Sequence, residues 1–205
     1  MTDTSSLLEW GVATLTLAGQ PESGDLHLVR EVGGGVLVAV VDGLGHGGEA
    51  AAAARVAVAT LDRFAHEPVA SLVQRCHEAL YGTRGVVMSV AYFDPTRDTM
   101  TWVGLGNVEG VVVHENWAER SSRTSLVTRG GIVGAQADLL PVRPWVIPVQ
   151  SGDLLVFATD GIRGGFADDI SRRDTPQQVA DLLLSRYSKG TDDALVLAAR
   201  YLGHR

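Results

Sequence analysis

Val36-Leu37-Val38-Ala39-Val40-Val41 runs without a polar break into Asp42-Gly43. An apolar run that does not alternate reads as a strand covered on both faces, so this segment belongs inside a layered fold. The same pattern recurs twice. Leu154-Leu155-Val156-Phe157-Ala158 passes through Thr159 into Asp160-Gly161, and Asp192-Asp193 stands just before Ala194-Leu195-Val196-Leu197-Ala198-Ala199. An antiparallel third strand brings all three acidic ends to one edge of a buried sheet. Carboxylates gathered there repel one another unless protons or a cation neutralise them. A hard divalent metal ion meets that need.

Working outward, the chain begins with two further strand patterns, Trp10 to Leu17 and Leu26 to Val32. The first is separated from the second by the turn residues Gly19-Gln20-Pro21-Glu22-Ser23-Gly24, and the second is closed by Gly33-Gly34-Gly35. Three strands with short connections predict an antiparallel meander. Two helices follow. Glu49 to about Ala65 is rich in alanine, and Val69, Leu72, Val73, Cys76, Ala79 and Leu80 share one helical face. Cys76 lies in that stripe and reads as a buried structural thiol.

Strands are expected at Val86 to Phe93, Thr99 to Leu105, Val108 to His114, Thr124 to Thr128 and Trp145 to Val149, with a loop from Glu115 to Arg123. The last helix carries its own boundary signals. Thr175 caps it, Pro176 takes the first helical position, Gln178 completes a capping box and Gly190 stops it. Many strands and two helical regions predict a layered α+β fold, organised as one domain over residues 1–205.

Composition narrows the function. The 205 residues carry a formal charge of −7, which argues against general binding to nucleic acid or anionic lipid. Arg172-Arg173 is flanked by Asp168, Asp169 and Asp174 and reads as a charge-mixed loop. No apolar run reaches membrane-spanning length, and Met1-Thr2-Asp3-Thr4-Ser5-Ser6 lacks the parts of a signal peptide, so a cytoplasmic location is expected. One cysteine excludes an intrachain disulfide framework and a thiolate zinc cluster. His27, His66, His77 and His114 form no metal-spaced pair. The tryptophans Trp10, Trp102, Trp117 and Trp145 read as packing residues.

The acidic segments are the chemical feature. In Asp42-Gly43-Leu44-Gly45-His46-Gly47-Gly48, Asp42 offers a carboxylate and Gly43 a carbonyl oxygen, hard ligands suited to magnesium or manganese. Asp160 and Asp192 extend the cluster. A Walker ending is absent, and the glycine spacing fits a dinucleotide fingerprint poorly. Asp-Gly alone is an ordinary turn dipeptide; its recurrence after continuous apolar strands points to a site.

Ser23-Gly24-Asp25, Asp42-Gly43-Leu44-Gly45-His46-Gly47, Asp160-Gly161 and Asp192-Asp193-Ala194 occur in the order seen in PPM-type metal-dependent serine/threonine protein phosphatases. Gly104-Leu105-Gly106-Asn107 and Gly130-Gly131-Ile132-Val133-Gly134 resemble the intermediate motifs of the bacterial SpoIIE-like branch, and the short chain resembles its stand-alone stressosome type. The resemblance spans Trp10 to Tyr201. It implies an αββα four-layer sandwich, two mainly antiparallel sheets flanked by helices, with two Mn²⁺ or Mg²⁺ ions at the sheet edge.

By position, the resemblance implies that Asp42 bridges the ions and Gly43 lends its carbonyl to one. Asp160 and Asp192 bind the other, Asp25 holds metal-bound water, and Asp193 stands behind a ligand. The implied reaction is attack of a metal-activated water on phosphoserine or phosphothreonine, with no covalent phosphoenzyme. The implied partners are phosphorylated STAS-domain regulators such as stressosome proteins.

Two positions depart from better-known eukaryotic members. Leu44 stands where they carry a histidine, and residues 20–25 contain no phosphate-gripping arginine. Arg163 and Gly164-Gly165-Phe166-Ala167-Asp168-Asp169 are candidates for positioning substrate, or a flexible loop. Two other functions stay open on the sequence: a binding module that sequesters phosphoproteins, and a phosphoesterase for small molecules.

Overall fold

The computed structural model describes residues 7–115, 123–135 and 142–203. Trp117 and most of the Glu115–Arg123 loop lie outside the described residues.

The elements are the strands β1 (Leu8–Leu15), β2 (Asp25–Val32) and β3 (Gly35–Gly43), then the helices α1 (Gly48–Arg63) and α2 (Val69–Ala79). Next come β4 (Val86–Asp94), β5 (Thr99–Leu105), β6 (Glu109–Val113), β7 (Arg123–Leu126), β8 (Trp145–Pro148) and β9 (Leu154–Ala158). Helix α3 (Pro176–Tyr187) and β10 (Ala194–Tyr201) complete the chain. The strands form two five-stranded sheets, β1-β10-β9-β6-β7 and β2-β3-β4-β5-β8, with every strand pair antiparallel.

Three apolar layers define the sandwich. Val36, Val38, Val40, Phe93, Trp102, Phe157, Leu195, Leu197 and Tyr201 fill the space between the sheets. Leu37, Ala39, Val41, Met88 and Val90 face outward against Ala53, Ala54, Ala57, Leu61, Leu72 and Cys76 of α1 and α2. Val156, Val196 and Ala198 face outward against Val179, Ala180 and Leu183 of α3. Alternate residues of β3 and β10 therefore enter different cores, which is why these strands read as unbroken apolar runs. Small alanines on α1 let the helix lie close to its sheet.

The expected αββα, α+β architecture is observed, with one rearrangement. The predicted meander does not form: β1 leaves β2 and β3 and pairs with β10 along its whole length, from Leu8 opposite Tyr201 to Leu15 opposite Ala194. Residues 16–24 carry the chain from one sheet to the other. A short connection suggests adjacency, but β10, buried at every residue except the half-buried Arg200, offers an open edge to pair with. Helix α3 begins as predicted: Thr175 Oγ1 accepts from Gln178 N at 3.3 Å, and Gln178 Oε1 accepts from Thr175 N at 2.8 Å. It ends at Tyr187, before Gly190.

Cys76 is fully buried, its Sγ lies 3.7 Å from the Ala57 carbonyl, and burial pushes its thiol up to about 12. It is an inert core residue. His114 is also structural, held between Asp153 and Thr124 at 3.2 and 2.9 Å. Trp102 is in the core, whereas Trp10 and Trp145 stand exposed on edge strands.

Candidate active site

β2 and β3 are antiparallel with Asp25 directly opposite Asp42, so two carboxylates share one end of the first sheet. β9 and β10 are antiparallel in the second sheet, which places Asp160, just past β9, beside Asp192 and Asp193, just before β10. The acidic ends therefore meet at matching edges of two facing sheets. The expectation of a single sheet edge is corrected here, because β3 and β9 belong to different sheets.

Thr159 joins the two halves. Its hydroxyl donates to Asp25 Oδ2 at 2.7 Å and accepts from Leu195 N at 2.8 Å. This buried bond runs from the end of β9 to the start of β2 and fixes the Asp25 carboxylate between the sheets. Asp193 makes a second link. It is 3% exposed, and its two oxygens accept from Leu17 N and Gly24 N, each at 2.7 Å. Asp193 thus holds the crossover loop that delivers Asp25, while Asp192 Oδ1 accepts from Asp193 N at 2.9 Å. Asn107, in the loop after β5, donates to Asp160 Oδ2 at 2.7 Å.

Close backbone packing explains the glycines beside the acids. A Cβ on Gly43 would collide with the Ala50 carbonyl at the start of α1, and one on Gly161 with the Asp193 carbonyl. Only glycine lets each acidic strand end approach its neighbour this closely.

The electrostatics follow from that crowding. Burial, opposed by the Thr159 hydrogen bond and reinforced by the charges of Asp193, Asp160 and Asp192, pushes the Asp25 carboxyl up to about 7. Burial, then the charges of Asp25, Asp160, Asp192 and Asp193, pushes Asp42 up to about 8. Asp160 is also raised, by burial and Asp192, with Lys189 opposing. Five acids share one region, and burial together with their mutual repulsion raises the carboxyls at its centre well above the ordinary carboxylate range.

Hard divalent cations fit this donor set. Among the described residues, no three acidic, histidine or cysteine side chains enclose a single ion. Magnesium-type sites seldom need such a cage, since one or two carboxylates per ion suffice and water fills the rest.

The profile of the family described as stage II sporulation protein E (SpoIIE) matches residues 32–202, which include Asp42, Asp160 and Asp192. The chain belongs to the SpoIIE family. Relatives agree with this SpoIIE assignment. Phosphoserine phosphatase RsbX of Bacillus subtilis is 27% identical over 101 residues, 49% of this chain and 51% of RsbX. The match thus spans about half the length of that curated relative. Among solved structures, a chain from work on the bacterial stressosome and its control of secondary-messenger signalling is 29% identical. It covers 95% of this chain and 100% of its own length, with a TM-score of 0.84. The crystal structure of RsbX with magnesium is 20% identical, covers 96% of each chain and has a TM-score of 0.82.

All the predicted site residues of this SpoIIE member, Asp25, Asp42, Gly43, Asp160 and Asp192, fall at the acidic edge. Nothing in the motif around Asn107 indicates its bond to Asp160, and in the sequence Thr159 reads as a spacer before Asp160. Both are visible as polar residues next to motif glycines or aspartates, but their partners lie 53 and 134 positions away. His46 is exposed and Leu44 half-buried. The Arg163 side chain is spent on the Arg186 carbonyl. The segment after it is anchored by buried Phe166 and by Asp169, which accepts from Arg186 and the Tyr187 hydroxyl at 2.7 Å each. That segment is therefore a tethered turn against α3.

Proposed function

We propose that this chain is a metal-dependent protein serine/threonine phosphatase, a single domain over residues 1–205 that acts on phosphorylated STAS-domain regulators of the stressosome type. The observation that carries this reading is the Thr159–Asp25 bond between the sheets. It makes one acidic centre out of strand ends far apart in sequence.

Asp42 and the Gly43 carbonyl would hold one Mn²⁺ or Mg²⁺ ion, and Asp160 and Asp192 a second beside it, with Asp25 reaching through water. Bound ions of this kind lower the pKa of water and offset charge on phosphoryl oxygens. The residues supply placement. Asp25 is fixed by Thr159, Asp160 by Asn107, and Asp192 by its neighbour's amide, so the donors are oriented before substrate arrives. Direct hydrolysis needs no nucleophilic side chain, and buried Cys76 stands apart in the α1–α2 layer.

Membership in the SpoIIE family, and the likeness to RsbX and to a stressosome-associated chain, support phosphorylated stressosome regulators as substrates. No helix among the described residues is long and apolar enough to cross a membrane; the proposal places the encounter in the cytoplasm.

The test is phosphate release from a phosphoserine STAS-domain regulator with Mn²⁺, in parallel with a chelator-treated sample. Chelator-sensitive release is expected. Metal-independent release contradicts the proposal, and tight phospho-dependent binding without release favours a sequestering module instead. Release from nucleotide or sugar phosphates but from no phosphoprotein favours a small-molecule phosphoesterase.

A further inference from the structure

The chain contains sixteen arginines and a single lysine, Lys189. That lysine sits beside Asp160, on one side of the acidic centre. Its backbone is clamped beside the Asp160 motif: Lys189 N donates to the Gly161 carbonyl at 2.8 Å, Arg163 N donates to the Tyr187 carbonyl at 2.8 Å, and Ser188 bridges Ile162 between them. From this anchored position the ammonium folds back and donates to the main-chain carbonyl of Asp160. Three residues further on, the same segment delivers Asp192.

An ammonium has three donors. Among the described residues Lys189 uses one of them, and it pairs with no carboxylate, although it is exposed at the edge of five acids. Of the other cations nearby, Arg84, over the Gly45 loop, is paired with Glu49, and the Arg163 side chain is turned to α3, where it donates to the Arg186 carbonyl. Two dications against five carboxylates still leave the site short of positive charge for an arriving phosphate dianion. The segment from Gln20 to Asp25 has no arginine to supply it.

We propose that Lys189 is a substrate-binding residue whose ammonium grips a phosphate oxygen at the Asp160 side of the site. It thereby replaces the arginine missing from residues 20–25. This rests on the phosphatase reading above. A lysine suits the task because it is a compact point charge on a flexible stem, able to turn from the Asp160 carbonyl to an incoming oxygen. The grip acts on the bound substrate and on the transition state alike, so its loss falls on KM rather than kcat.

The experiment uses the full chain loaded with Mn²⁺, with p-nitrophenyl phosphate as substrate and inorganic phosphate as a binding probe followed by calorimetry. Lys189→Met should weaken phosphate binding and raise KM by about tenfold to a hundredfold, the worth of one charge-assisted hydrogen bond, with kcat nearly unchanged. Lys189→Arg should restore most of the loss. Mn²⁺ affinity should stay level or rise in Lys189→Met, because a positive charge beside the ligands is gone. A lysine that merely braces Asp160 predicts the reverse, and parallel loss of Mn²⁺ and phosphate affinity overturns the proposal. So does phosphate binding equal to wild type in Lys189→Met, or no phosphate binding by the wild type. Lys189-dependent phosphate binding in a wild-type protein that hydrolyses nothing upholds the role of Lys189 and overturns the phosphatase reading.

Discussion

Asp42 carries the largest burden of any single residue. Its carboxyl lies opposite Asp25 and is pushed up to about 8 by burial and by neighbouring acids, so the metal-free fold tolerates its charge poorly. Asn keeps the shape and removes the charge. Asp42→Asn should therefore reduce phosphate release to background, while the metal-free variant melts no lower than wild type at pH 8.5. Release assays and thermal melts check both halves. Asp193 is the contrasting acid. Its carboxylate faces the backbone amides of Leu17 and Gly24. Asp193→Ala strands both amides and should cost about 3 kcal/mol of stability in a denaturant titration, since hydrogen bonds to charged groups are worth about 1.5–3 kcal/mol each. Turnover should fall as well, because Gly24 precedes Asp25.

Elements are more legible in this sequence than the neighbours they pair with. β3, β9 and β10 announce themselves as continuous apolar runs because each faces two cores. Helix α3 is legible to the residue at its start, where Thr175, Pro176 and Gln178 encode the cap locally. Thr175→Ala should cost about 1 kcal/mol, measured by chemical unfolding, and leave metal-dependent activity intact. Strand pairing is a different matter. β1 alternates weakly, and nothing local tells it to pass over β2 and join β10, nearly the whole chain away. The site shows the same division. The acidic residues could be read from their motifs, whereas the Thr159 and Asn107 bonds that set them in place depend on the long-range pairing of two sheets.

For the whole molecule, the acidic centre makes stability depend on pH with a definite sign. Asp25 and Asp42 titrate near the ordinary 3.8 when unfolded but at about 7 and 8 in the metal-free fold. Between those limits the folded chain binds more protons than the unfolded chain. Stability from these groups is thus fully present below about pH 4 and is lost as pH rises toward 8. Metal-free protein should melt at progressively lower temperature from pH 5 to pH 8.5, and added Mn²⁺ should raise the melting temperature most at the alkaline end. A melting temperature that rises over this range without metal contradicts the electrostatic picture. The same five acids that repel one another at this edge give an otherwise apolar sandwich a concentrated polar rim.

In the proposed site, strand ends from two facing sheets hold divalent cations between them. Calorimetric titration of Mn²⁺ into the metal-free chain tests it directly, with Asp160→Asn as the companion. Saturable binding by the wild type and clearly weaker binding by the variant are expected. No uptake by the wild type, or uptake that Asp160→Asn leaves untouched, contradicts it.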